Sequence, residues 1–170
     1  IVADAAKFIK QGELLFDSSP RCFAGTDSGK GYIGTDRGLF PVDLDNLNVG
    51  TCLEGTEASG YTSLLYAQDR LFVLQNDGKL ISLDPASGRT FTLHADSCTA
   101  LVQTASGALW AARGSALVRI DPATLETTRI DLPEHARIGR FLTASPKEEV
   151  LYFTSGSSTD SCSVYRFQTE

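Results

Sequence analysis

The chain has 170 residues, enough for one domain of ordinary size, and its 42% hydrophobic and 21% charged residues read as a soluble globular protein. A net charge of −6 repels phosphate backbones, so nucleic acid is excluded as an expected partner. No apolar run approaches the ~18 residues of a membrane helix, and no membrane insertion is expected.

The chain begins Ile1-Val2 and contains no Met. The expectation is a domain or fragment of a larger protein. Residues 1–10 are too polar for a signal peptide. Residues 3–11 read as a short helix with Ala5, Phe8 and Ile9 on one side, giving a helical extension over 1–12. ELLFD at 13–17 reads as a strand.

From residue 22 onward the sequence falls into four units of short strands bounded by Gly, Asp, Asn, Ser and Pro. The first, about 22–55, runs RCFAG, GYIGT, GLFPVD, VGTCL. The second, 61–95, runs TSLLYA, RLFVLQ, KLISLD, RTFTLH. The third, 98–136, runs TALVQT, ALWAAR, ALVRID, TTRIDL. The fourth, 138–170, runs GRFLTA, VLYFTS, SVYRFQ and lacks a fourth strand. Second strands such as Leu71–Leu74 are apolar at consecutive positions, so both faces of each sheet are expected to be covered. Fourth strands alternate, as outer strands do.

A unit of ~40 residues with four strands is the signature of a propeller blade. The expected fold is an all-β propeller of about four four-stranded antiparallel blades over 13–170. The N-terminal strand at 13–18 would complete the last blade, making a closed ring; a place in a larger ring is the competing expectation.

The phrase "LISLDPASG" is echoed by "LVRIDPAT". Asp accepts backbone N–H groups two residues on, Pro presets φ, and Gly88 can take a positive φ. The phrase is therefore a turn between third and fourth strands. The first unit departs from it with DLDNLN and puts Pro41 inside its third strand, where a bulge or broken ladder is expected.

"GYIGTDRGLFPVD" (31–43) and "GALWAARGSALVRIDPAT" (107–124) resemble the short-blade propeller repeats of two-component-sensor and streptogramin-lyase type. The likeness covers the first three units. It implies a blade architecture shared by sensors, lyases and scaffolds, and so does not choose a function.

In a propeller, sites cluster on the face that carries the loops between blades and the loops between second and third strands. On that face the candidate binding residues are Arg37, Tyr61, Asn76, His94, Asp96, Arg113, His135 and Arg137. His94 and His135 occupy equivalent loops and are the candidates for general acid/base work, as the lyase resemblance would require. No nucleophile elbow, P-loop or dinucleotide fingerprint is present. The four cysteines form no CxxC and read as free thiols, with a cytoplasmic location expected ahead of a secreted one. No metal or cofactor is expected. The functional expectation is a non-catalytic protein-interaction scaffold whose partner is another protein or another domain of the parent chain. A lyase or hydrolase with a site at the channel mouth is the alternative, and an extracellular ligand-binding or sensor domain is the third.

Overall fold

A computed structural model describes residues 18–57, 60–138, 141–155 and 163–169. The expected helix at 3–11, the strand at 13–17 and ring closure through that strand lie outside the described residues. Among the described residues there is no helix, and fifteen strands form four antiparallel sheets.

The first sheet is β1 (Pro20–Gly25), β2 (Lys30–Thr35), β3 (Leu39–Asp43) and β4 (Asn48–Val49). The second is β5 (Tyr61–Ala67), β6 (Arg70–Gln75), β7 (Leu80–Leu83) and β8 (Thr90–His94). The third is β9 (Ala100–Gln103), β10 (Leu109–Arg113), β11 (Ala116–Ile120) and β12 (Thr127–Asp131). The fourth is β13 (Leu142–Ala144), β14 (Val150–Ser155) and β15 (Ser163–Gln168). Each is a simple meander in chain order, and each coincides with one unit of the sequence.

The sheets stack in series. β1 packs beside β5, β5 beside β9, and β9 beside β13, so the first strand of each sheet neighbours the first strand of the next. Three apolar clusters fill the three junctions. Ala24 and Leu39 meet Leu64, Leu71 and Val73 between the first and second sheets. Phe72, Leu74 and Leu80 meet Leu101, Leu109 and Val118 between the second and third. Trp110, Ala112 and Leu117 meet Leu142, Leu151 and Phe153 between the third and fourth. The second and third sheets are thus covered on both faces, which is why Leu71, Phe72, Val73 and Leu74 are all buried despite the alternation of side chains along a strand.

The pairing registers expose the logic of these faces. Cross-strand rows Leu64–Val73–Ile81, Leu101–Ala111–Val118 and Leu142–Phe153–Tyr165 each point back at the preceding sheet. The equivalent row in the first sheet is Phe23–Ile33–Phe40.

The turns behave as their sequences ask. Asp84 Oδ1 accepts the Ala86 and Ser87 N–H groups at 2.9 and 3.4 Å, and Asp121 Oδ1 accepts those of Ala123 and Thr124 at 2.8 and 3.2 Å. The divergent DLDNLN makes the same turn: Asp43 Oδ1 accepts the Asp45 and Asn46 N–H groups at 3.0 and 2.9 Å. Four residues after each Asp the backbone is left-handed, at Leu47 (φ 54°), Gly88 (φ 71°) and Leu125 (φ 64°). Only the middle unit fills that position with the residue that adopts it freely.

Pro41 pairs with Tyr32 without interrupting the β2–β3 ladder. The break falls on its other side. Gly50 donates its N–H to the Pro41 carbonyl at 2.8 Å, but Pro41 has no N–H to return, and β4 shrinks to two residues. Cys22, Cys52 and Cys98 are free of disulfide bonds, and Cys162 lies outside the described residues.

Candidate functional site

The residues expected to form a site on the inter-sheet loop face do not converge. Tyr61 is a core residue, 1% exposed, whose hydroxyl donates to the Thr56 carbonyl at 2.6 Å. Its position just after a loop suggested a surface role, but its side chain enters the junction between the first and second sheets. Arg37 is exposed, with its backbone N–H on Thr35 Oγ1 at 3.0 Å. Asn76 is exposed and donates its backbone N–H to the Gly60 carbonyl at 2.9 Å. Arg137 is exposed.

His94, Asp96 and Arg113 do come together, where the second sheet hands over to the third. Arg113 Nη2 lies 3.4 Å from Asp96 Oδ1. His94 is half-buried, and its Nε2 has no hydrogen-bond partner among the described residues. Burial lowers the His94 pKa, the Arg113 charge lowers it further, and Asp96 opposes both. The neighbouring Cys98 is buried, and burial raises its thiol pKa. Both shifts favour the uncharged forms, a neutral imidazole and a protonated thiol.

His135 occupies the equivalent loop one sheet on, in different surroundings. It is exposed, its carbonyl accepts the Tyr165 hydroxyl at 3.2 Å, and the two rings lie 6.3 Å apart. The two histidines therefore belong to separate environments. Among the described residues no three His, Cys, Asp or Glu side chains group closely enough to hold a metal ion.

A cleft of about 740 Å³ lies on the other face, where strand one turns into strand two and strand three into strand four. Three sheets build it. Gly25 and Asp27 come from the first, Tyr66 to Asp69 from the second, and Gln103, Ser106, Arg119 and Asp121 from the third. The turn between β5 and β6 is two residues long, with Gln68 at φ 50° and Asp69 at φ 57°. Positive φ at both positions is the type I′ hairpin, which Asn-Gly fills at least cost. Here two side chains are held in the left-handed region instead.

Several of these groups are fixed locally. The Tyr66 hydroxyl donates to Asp69 Oδ1 at 2.9 Å, and the Tyr66 ring stacks on Tyr32 at 6.0 Å. The bond to Asp69 raises the Tyr66 pKa, followed by burial and by the charges of Asp69 and Asp27. Gln103 Nε2 donates to the Gly107 carbonyl at 3.3 Å. Sequence reading passed over Asp27, Gln68, Asp69, Gln103 and Arg119. The one local signal was Gln-Asp where a tight turn favours Asn-Gly.

The fold and the cleft together define an all-β protein of repeated antiparallel sheets with loops converging from neighbouring repeats. The chain belongs to the DUF5074 family, a domain of unknown function, whose model matches residues 1–170. No curated protein matches it. Among solved structures it is similar to the extracellular domain of the putative hybrid two component system BT4673 from B. thetaiotaomicron, with 16% identity and a TM-score of 0.65 over 79% of this chain and 21% of that one. It is also similar to PorZ, a surface component of the type-IX secretion system of Porphyromonas gingivalis, with 18% identity and a TM-score of 0.61 over 84% and 19%. An S. cerevisiae assembly of Dbp5 bound to Nup159 and Gle1 matches at 16% identity and a TM-score of 0.57, over 83% of this chain and 42% of that one. The chain spans about a fifth of the length of the BT4673 and PorZ chains, and at these identities the likeness is one of fold.

Proposed function

We propose that the chain is an arc of β-propeller blades that serves as a non-catalytic protein-interaction domain. The supporting observation is Phe23. Its cross-strand row, Phe23–Ile33–Phe40, is built in the same register as the three rows that pack onto a preceding sheet. Within that row Ile33 is buried, and Phe23 alone stands out, 52% exposed and lining a cleft of about 430 Å³ with Pro20, Arg21, Cys22 and Ile33. A blade face with an exposed aromatic at its inner strand fits a partner that continues the stack. That partner presents another apolar sheet face, supplied by another protein or by another domain of the parent chain.

A second reading, a ligand-binding or sensor domain, is supported by the cleft of about 740 Å³ and by a fold shared with extracellular domains of a sensor system and a secretion component. It is compatible with the first, because the cleft and the Phe23 face are lined by different residues.

Sedimentation velocity tests the interaction reading. In the isolated chain the apolar faces on offer are those of other copies, so wild type should associate as concentration rises. Phe23→Asp should remain monomeric with an unchanged melting temperature. Identical sedimentation of the two proteins at every concentration would contradict the proposal.

A further inference from the structure

The cleft of about 740 Å³ falls within the roughly 300–1,000 Å³ range of small-molecule sites. It lies on the face opposite the loops where sequence placed the candidates. What it could hold follows from its lining. Asp27 and Asp69 supply carboxylate acceptors, Arg119 a guanidinium donor, and Gln68 and Gln103 carboxamides that both donate and accept. Tyr66 adds a half-buried aromatic ring.

Elimination narrows the ligand. Three aspartates against one arginine disfavour an anion. A lining dominated by carboxylates, amides and a guanidinium disfavours an apolar ligand or lipid, whose burial would strip water from groups it cannot satisfy. The carboxylates come from three different sheets and make no metal set among the described residues. A simple cation would satisfy Asp27 and Asp69 but meet Arg119 across the same cleft. A ligand that donates to carboxylates and accepts from a guanidinium within one molecule satisfies all of them. Neighbouring hydroxyl groups do both, and planar bidentate side chains match them in pairs.

We propose that this cleft is a binding site for a neutral, hydroxyl-rich ligand of short-oligosaccharide size. Asp27 and Asp69 accept hydrogen bonds from ligand hydroxyls. Arg119 and the Gln68 amide donate to hydroxyl oxygens. The site is set before the ligand arrives: Asp69 is locked by the Tyr66 hydroxyl at 2.9 Å, and Tyr66 in turn by Tyr32. Pre-setting lowers the ordering cost of binding. The left-handed backbone at Gln68 and Asp69 places both side chains on the rim, a position a Gly would leave empty.

The test is calorimetric titration with maltotriose, cellotriose, xylotriose and chitotriose, alongside spermidine and inorganic sulfate as cation and anion probes. At least one trisaccharide should bind, and spermidine and sulfate should not compete with it. Arg119→Ala and Asp27→Asn, both at exposed positions, should each weaken binding about tenfold, the loss of one good hydrogen bond to a charged group. The double variant Gln68→Asn, Asp69→Gly separates the site from the turn. It supplies the favoured type I′ pair, so it should raise the melting temperature while abolishing binding. Spermidine binding in place of the sugars would overturn the proposal, and so would no binding across the four trisaccharides or full sugar affinity in the double variant.

Discussion

Glu149, in the loop before β14, holds Ser106, in the turn between β9 and β10: its carboxylate accepts the Ser106 backbone N–H and, at 2.9 Å, the Ser106 hydroxyl. The Thr169 hydroxyl lies 3.3 Å from the same carboxylate and 2.9 Å from the Glu149 backbone carbonyl, within donating distance of both. One carboxylate thus ties the fourth sheet to a turn of the third and to the segment that follows β15. Desolvation pushes its pKa up, but the bonds from Thr104, Ser106 and Thr169 together outweigh this and hold it below the ordinary glutamate value.

The sign of the pH effect follows. A folded-state pKa below the unfolded one means the tether stabilises above the ordinary glutamate range and is lost as pH falls through the folded value. Glu149→Gln should therefore melt lower than wild type at neutral pH. The gap should close in acid, where wild type is protonated too. A gap of constant size from neutral pH to acid would show that the charge is not what holds Ser106.

His94 titrates in the opposite chemical sense with the same outcome. Its folded pKa is lowered, by burial first and by Arg113 second, so the unfolded chain takes up a proton before the folded one does. Stability is full above the ordinary imidazole range and falls as pH drops through it. Thermal melts between about pH 8 and about pH 5 should show that decline in wild type, and His94→Phe should flatten it. An unchanged slope in His94→Phe would contradict the assigned burial. His94→Phe should also leave the trisaccharide titrations untouched, because His94 does not line the cleft.

Trp110 is the single tryptophan and lies in the junction between the third and fourth sheets, 1% exposed, edge-on to Phe167 at 5.8 Å. Its indole N–H has no hydrogen-bond partner among the described residues. Trp110→Ala should cost about 3–5 kcal/mol, as large aromatic truncations in a core do. Trp110→Phe keeps the ring contact and removes the unmatched donor, so it should cost under about 1.5 kcal/mol. Chemical denaturation measures both. Equal losses would mean that the indole N–H, not the ring volume, carries the site.

The four sheets were legible in the sequence because their signals are local. Leu71–Leu74 says that both faces are covered, and Asp84 and Asp121 say where a hairpin turns. Asp43 shows the limit in one direction: its segment lacks the Asp-Pro phrase but makes the same turn, because the carboxylate and not the proline closes it. Tyr61 shows the limit in the other. A residue just after a loop looks accessible in sequence, and only the stacking of two sheets reveals it as core. The cleft was not legible for the same reason. Asp27, Gln68 and Arg119 lie on three separate sheets, and nothing within any one unit says that their turns meet.

The proposal rests on one claim, that the four sheets are consecutive blades of an open arc whose first sheet receives another. Small-angle X-ray scattering of monomeric Phe23→Asp tests it most directly. The expected profile is that of a curved stack with the first and fourth sheets apart. A profile of a closed disc, with those two sheets in contact, would contradict it and return the chain to a self-contained ring with no face to offer.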